Sequence, residues 1–224
     1  MKKSDFRVIV CVLLILSPFF LSNTVYERYN QLNATHGIAM SFMKFALLAT
    51  FGEAIALRIK SGVFNQAGFG IFSRAVIWGF LGMTIKMAFV LFSSGTPTLL
   101  KYLGMNVMPI DSAHLTINSL VVAFSISTAM NLVYAPIMMT FHKITDIHIT
   151  TNNGSISCLI KPLKFGEILQ KIDWEKHLEF LFKKTIPFFW IPAHTITFLL
   201  PVDYQILFAA VLGVALGIIL SISK

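Results

Sequence analysis

The chain has 224 residues, of which 56% are hydrophobic and only 12% are charged. Soluble globular domains carry about 25% charged residues, so this composition excludes an ordinary water-soluble domain and predicts a single-domain, all-α integral membrane protein. The formal net charge of +8 is spread over loops that flank apolar segments. It therefore indicates membrane topology, and no nucleic-acid binding is expected.

The first apolar run, residues 8–25, follows a short basic segment that contains Lys2, Lys3 and Arg7. Such a start is typical of a cleaved signal peptide or of an uncleaved signal-anchor helix. Pro18 interrupts the run, and no A-x-A-type cleavage site follows it. The sequence therefore favours the signal anchor, with the cleaved signal peptide as the alternative.

Three further apolar segments predict core membrane helices at residues 37–58, 71–93 and 117–139. Each is close to the roughly 20 residues that a helix needs to cross the hydrocarbon layer of a bilayer. Small residues share one face in each segment, which predicts that these helices pack closely against one another.

Residues 141–184 form the largest polar region and are predicted to be an inner loop. Alternating apolar and polar residues around Asn153 and Gly154 predict a small β-hairpin there. The following stretch, WEKHLEFLFKK, predicts an amphipathic helix that lies on the membrane surface.

The last two predicted membrane helices, residues 185–200 and 204–222, are joined by a tight turn. Pro187 and Pro192 remove backbone donors and predict a bend in the first of them. The second has no charged residue, and small residues recur at every fourth position: Ala209, Gly213, Gly217 and Ser221. This stripe predicts a close approach by a neighbouring backbone.

About six membrane helices, with both termini inside, place most basic residues on the inner side, including Lys224. Only Arg28 and Lys101 fall outside, while Lys44 and Lys86 lie within predicted spans. The N-terminal sequence is of a bacterial kind, which favours a bacterial cytoplasmic membrane. An organelle membrane is the alternative.

Ionisable and polar residues at lipid depth mark candidate positions along a pathway. These candidates are Lys44, Glu53, Lys86, Asn131 and His194. The two lysines lie at similar depth without an obvious carboxylate partner. They indicate either a wet, anion-favouring cavity or side chains that snorkel to the headgroups. Asn131 and His194 fit hydrogen bonds between helices as well as pore lining.

Glu53 is the only acid within a predicted core span, and its expected partner is Arg58 or Lys60 near the inner surface. Signals for an enzyme are poor, because no phosphate loop, nucleophile elbow or facing acid pair is found. The nearest approach to a metal motif is the set His142, Asp146 and His148, which lacks metal-ligand spacing. The sequence therefore predicts no enzyme, no metal and no cofactor.

Several short blocks follow one another in the order of a known signature. Gly52 precedes an acid, NLVYAP contains Tyr134 and Pro136, and the last blocks contain Trp190, Phe198 and Pro201. These blocks resemble the Mpv-seventeen / peroxisomal-membrane-protein-twenty-two family. Several positions depart from its pattern: Gly37 and Met83 stand where Pro is usual, Met130 replaces an acid, His194 replaces Gln, Thr197 replaces Asn and Leu216 replaces Trp. The gap from Phe198 to Pro201 is also one residue short.

The resemblance implies a compact bundle of membrane helices that acts as a channel or in the passage of small solutes. A second hypothesis is a structural or partner-binding membrane protein without transport activity, which the small-residue stripes and the basic inner loop support. The expected partners are the lipid bilayer, a small solute or anion, and further copies of the chain in a homo-oligomer.

Overall fold

The computed structural model describes residues 2–222, with the backbone only at Leu220. Lys224, predicted on the inner side, lies outside these residues. The helices are α1 (Lys3–Leu21), α2 (Asn23–Thr35), α3 (Gly37–Ser61), α4 (Ile71–Tyr102), α5 (Ile117–Thr151), a 3₁₀ turn (Ile156–Ile160), α6 (Phe165–Gln170), α7 (Trp174–Glu179), a π-helix (Phe180–Trp190), α8 (Ile191–Leu199) and α9 (Val202–Ile222).

The described part of the chain is all-helical, as the sequence predicts. Five helices, α1, α3, α4, α5 and α9, are long and apolar enough to cross a membrane, which is compatible with a multi-pass membrane protein. Helix α3 packs against α4 and α9, and α5 packs against α4 and α8. We call α3, α4, α5, α8 and α9 the bundle, because these helices pack against one another. Helix α1 lies outside it.

The bundle has two ends, which we name after a residue near each. At the Arg74 end, Ser73 at the start of α4 donates a hydrogen bond to the carbonyl of Ser155 after α5, at 3.2 Å. At the Lys44 end, the Asn33 side chain of α2 donates to the carbonyl of Asp203 in α9, at 3.2 Å. The chain therefore runs back and forth between the two ends.

Residues 185–200 do not form a sixth helix of spanning length, so the predicted count of six is replaced by five. The segment is divided between the π-helix and α8. Pro187 and Pro192 lack the N–H group that an α-helix uses, and a π-helix bonds each residue to the fifth one back. The backbone N–H of Ile191, at the end of the π-helix, follows this wider spacing and donates to the carbonyl of Ile186.

The predicted β-hairpin is wrong, because α5 continues to Thr151 and the residues that the structure describes contain no strand. Asn153 and Gly154 have positive φ values of 53° and 69°. This left-handed backbone suits a hairpin turn, but it also ends helices. Here the Gly154 N–H bonds the carbonyl of Ile149 at 2.9 Å and terminates α5.

Glycines allow the helix backbones to touch. A Cβ added to Gly52 in α3 would lie 2.8 Å from the Cα of Val214 in α9, and one on Gly217 would lie 3.2 Å from the Gly52 carbonyl oxygen. A Cβ on Gly82 in α4 would lie 2.6 Å from the Cβ of Phe45 in α3. Gly217, one member of the stripe of small residues on α9, therefore faces a close neighbour, α3.

Helix α1 has no buried residue. The Arg58 guanidinium at the end of α3 donates two hydrogen bonds to the Asp5 carboxylate, at 2.7 and 2.8 Å. The Lys2 ammonium donates to the carbonyl of Gly62 at 3.3 Å. The start of α1 is therefore tied to the Arg74 end of the bundle.

Cysteine labelling tests this topology. In a Cys11→Ser, Cys158→Ser background, we expect Lys60→Cys to react with an impermeant maleimide from one side of the membrane. Arg28→Cys and Lys101→Cys should react only from the other side, because α3 and α4 carry the chain between the two ends. All three positions are exposed. Labelling of Lys60→Cys and Lys101→Cys from the same side would contradict the topology.

Candidate functional site

A cavity of about 260 Å³ lies in the middle of the bundle, between α3, α4, α5, α9 and the junction of the π-helix with α8. Most of its wall is aliphatic or aromatic. The side chains with polar atoms in the wall are Glu53, Trp78, Asn131, Tyr134, His142, Trp190 and His194. They come from five different segments, so the cavity forms only when the bundle is complete.

A group of ionisable side chains lies at one end of the cavity, where Glu53 and His142 are part of the wall. We call Glu53, Arg74, His142 and Asp146 the charged cluster. Glu53 accepts hydrogen bonds from Trp78 Nε1 at 2.8 Å and from Arg74 at 2.5 Å. His142 Nε2 lies 3.0 Å from the same carboxylate, and Arg74 also donates to Asp146. The cluster therefore joins α3, α4 and α5 at the Arg74 end.

Arg74 is the cation that holds the cluster together. Its guanidinium also donates to the carbonyl of Phe69 at 2.7 Å and lies 4.6 Å from the centre of that ring. A planar guanidinium with five N–H groups suits several acceptors at once. The expected pairing of Glu53 with Arg58 or Lys60 is wrong, because Glu53 binds Arg74 while Arg58 binds Asp5.

Asn131 and His194 lie deeper in the bundle and are both buried. The Asn131 amide donates to the Ser127 carbonyl at 2.8 Å and lies 3.3 Å from the Ser127 hydroxyl. The His194 ring stacks on Trp190 with centroids 5.2 Å apart. An edge-to-face contact with Phe89, at 5.5 Å, fixes the ring from another side.

Lys44 and Lys86 are not part of the cavity wall. The buried Lys44 ammonium donates to the Asn33 side-chain carbonyl at 2.5 Å and lies 5.2 Å from the centre of the Tyr29 ring. Both partners belong to α2. Lys86 reaches the start of α3, where its Cε would lie 3.6 Å from a Cβ on Gly37. The structure thus brings Glu53, Asn131 and His194 together at one cavity and places both lysines at the other end of α3.

The residues at the family-motif positions lie in or near the cavity. Tyr134 and Trp190 are in the cavity wall. Phe198 is buried and packs on Phe89, with ring centroids 4.8 Å apart. Gly52 lies at the crossing of α3 and α9. The two prolines occupy special backbone positions: Pro136 lies inside α5, and Pro201 lies in the turn between α8 and α9.

The three residues of the weak metal motif, His142, Asp146 and His148, each contact a different group. His142 contacts Glu53, Asp146 binds Arg74, and the His148 ring lies 2.9 Å from the carbonyl oxygen of Cys158. Among the residues that the structure describes, no group of three or more His, Cys, Asp and Glu side chains could hold a metal ion.

Sequence reasoning missed most of the charged cluster, although a signal for it exists. Arg74 and Trp78 are four residues apart on α4, and His142 and Asp146 are four residues apart on α5. Residues at this spacing lie one helical turn apart on the same face. Two such pairs near the acid of α3 would have predicted one shared polar site.

No family model, curated protein or solved structure matches this chain. The resemblance to the Mpv-seventeen / peroxisomal-membrane-protein-twenty-two family therefore depends on the motif positions alone. The cavity and its polar residues remain the observations from which a function is to be inferred.

Proposed function

We propose that the protein allows small solutes to cross a membrane, with the central cavity as the pathway. The observation that carries this proposal is a cavity in the middle of the bundle whose wall contains Glu53, Asn131 and His194. Polar and ionisable groups are costly at lipid depth and mark solute pathways. The resemblance to the Mpv-seventeen / peroxisomal-membrane-protein-twenty-two family supports the same function.

The charged cluster is the proposed gate of this pathway. Glu53, Trp78 and His142 form one end of the cavity, and Arg74 binds Glu53 from outside the wall. These side chains come from three helices, α3, α4 and α5. A small movement of one helix against the others would therefore break the contacts that close this end.

The charges favour small neutral solutes over anions. Two carboxylates, Glu53 and Asp146, meet a single guanidinium, Arg74, at the gate. Lys44 lies nine residues from Glu53 along α3, which is about 13 Å at the rise of an α-helix. Its ammonium is already bound to Asn33. An anion would therefore meet carboxylates at the gate, and no free cation lies in the cavity wall among the described residues.

Liposome swelling tests the pathway. Gly213 lies in the cavity wall, and a Cβ there would have no atom within 4 Å. We expect the protein to admit glycerol and to exclude larger sugars, and we expect Gly213→Leu to slow glycerol entry about tenfold or more because the new side chain fills the cavity.

Gly95→Leu on α4 is the matched control, because a Cβ at Gly95 also meets open space while Gly95 is not in the cavity wall. This variant should leave glycerol entry unchanged. Swelling no faster than that of protein-free liposomes would overturn the proposal. Equal rates for Gly213→Leu and Gly95→Leu would exclude this cavity as the pathway.

Helix α1 favours a second candidate function, the binding of a partner without transport. None of its residues is buried, so its apolar surface is free to contact another membrane helix. Cys11 is exposed on α1. Thiol crosslinking in membranes should then recover one stoichiometric partner or a second copy of the chain, while the swelling assay stays silent.

A further inference from the structure

The size of the central cavity limits what it can hold. An engineered apolar cavity of about 150 Å³ in another protein holds benzene. The present cavity, at about 260 Å³, is large enough for a flat molecule of two fused rings. Its wall is mostly aliphatic and aromatic, which suits a ring system better than a charged molecule.

Asn131 presents an acceptor to this space. Its side chain is 1% exposed and lies in the cavity wall. The amide nitrogen donates to Ser127, whereas Oδ1 has no hydrogen-bond partner among the residues that the structure describes. An acceptor without a donor in a mostly apolar cavity is unfavourable, so a ligand with an O–H or N–H group would be stabilised there.

His194 adds a second acceptor, which follows from its contact with Thr197. The Thr197 hydroxyl donates its only hydrogen to the carbonyl of Ala193, at 2.9 Å. It must therefore accept a hydrogen bond from His194 Nδ1, which lies 3.3 Å away. A neutral imidazole with its hydrogen on Nδ1 has a lone pair on Nε2. That nitrogen has no partner among the described residues.

Trp190 lies in the cavity wall next to His194, because its ring stacks on the imidazole. Its Nε1 is buried within the protein and is not accessible from the cavity. A hydroxyl group carries the hydrogen that the two acceptors lack, whereas a ketone or a hydrocarbon has none to donate.

We infer that the central cavity is a binding site for a neutral aromatic alcohol of one or two rings. The ring system occupies the apolar part of the cavity, and the hydroxyl donates its hydrogen to Asn131 or to His194. If this ligand is also the transported solute, the inference rests on the proposed function. The binding site itself is tested by ligand binding alone, without a transport assay.

Ligand-induced stabilisation tests the site with two matched probes, β-naphthol and β-methylnaphthalene. They have nearly the same size, but only β-naphthol carries a hydroxyl. The unfolding midpoint of the full chain in detergent, followed by circular dichroism, gives the apparent affinity of each probe. We expect both to bind, and β-naphthol to bind about three- to tenfold more tightly because of its hydrogen bond.

Two variants remove the acceptors. Asn131→Leu, which removes the carbonyl at similar size, should reduce the preference for β-naphthol at least threefold, and so should His194→Phe, which keeps a flat ring. Gly213→Leu should lower the affinity for both probes at least tenfold, whereas the control Gly95→Leu should leave both unchanged. If Asn131→Leu fails to fold, His194→Phe still tests the hydroxyl.

The inference is overturned if neither probe raises the unfolding midpoint of the unmodified chain. It is also overturned if the two probes bind equally, or if Gly213→Leu binds them as well as Gly95→Leu does. Binding without glycerol entry would contradict the proposed transport while leaving the binding site intact. Glycerol entry without probe binding would contradict the binding site while leaving the proposed transport intact.

Discussion

Replacing Arg74 by methionine is expected to lower the free energy of unfolding by about 3–5 kcal/mol. The side chain of Arg74 is 9% exposed and binds both Glu53 and Asp146. Methionine fills similar space but leaves two carboxylates in the bundle without their cation. Chemical unfolding of the purified protein in detergent, followed by circular dichroism, measures the loss.

Two further variants identify the cause of this loss. Arg58→Met also removes a guanidinium from an ion pair, but its single partner, Asp5, lies on α1 outside the bundle. Arg58→Met should therefore lower the free energy of unfolding much less than Arg74→Met does. Adding Glu53→Gln and Asp146→Asn to Arg74→Met should recover most of the stability, because no unpaired charge remains. A loss no larger than that of Arg58→Met would contradict the role given to Arg74.

Gly52→Ala is expected to lower the free energy of unfolding by about 1–3 kcal/mol, the usual range for overpacking. The added Cβ would lie 2.8 Å from the Cα of Val214 and 3.5 Å from the carbonyl oxygen of Gly213. Both are backbone atoms and cannot rotate away, so α3 and α9 would have to separate. The same unfolding measurement applies.

Gly213→Ala is the matched control on the facing helix. Its Cβ would meet open space, and alanine favours a helix over glycine by about 1 kcal/mol. We therefore expect this variant to be as stable as the unmodified chain or more so. Equal effects of Gly52→Ala and Gly213→Ala would show that the backbone contact between α3 and α9 is not tight.

Hydropathy predicts where the core helices lie, but α4 and α5 continue beyond their predicted ends. Helix α4 continues from Ser93 to Tyr102 through SSGTPTLL, a composition typical of a loop. The hydroxyls of Ser94 and Thr98 donate back to carbonyls four residues earlier, both at 2.9 Å. Polar side chains that bond their own helix need no water, so a run of serine and threonine does not have to end a helix.

The candidate site is predictable in part. Glu53, Asn131 and His194 stand out because polar groups are rare inside apolar helices. Their partners do not stand out, because the contacts of Glu53 come from α4 and α5 and are set by tertiary packing. The partner of Lys44 is equally hard to predict, because Asn33 belongs to α2, a polar helix that hydropathy does not indicate.

Helix α1 is held near both of its ends. At its start Asp5 binds Arg58 and the Lys2 ammonium binds the carbonyl of Gly62, and near its end Phe19 packs edge-to-face on Tyr29 of α2, with ring centroids 5.5 Å apart. None of the α1 residues is buried, so the apolar residues between these contacts can replace one another without opening a cavity. The middle of α1 is therefore free to change in sequence independently of the bundle, provided that Asp5 keeps its place.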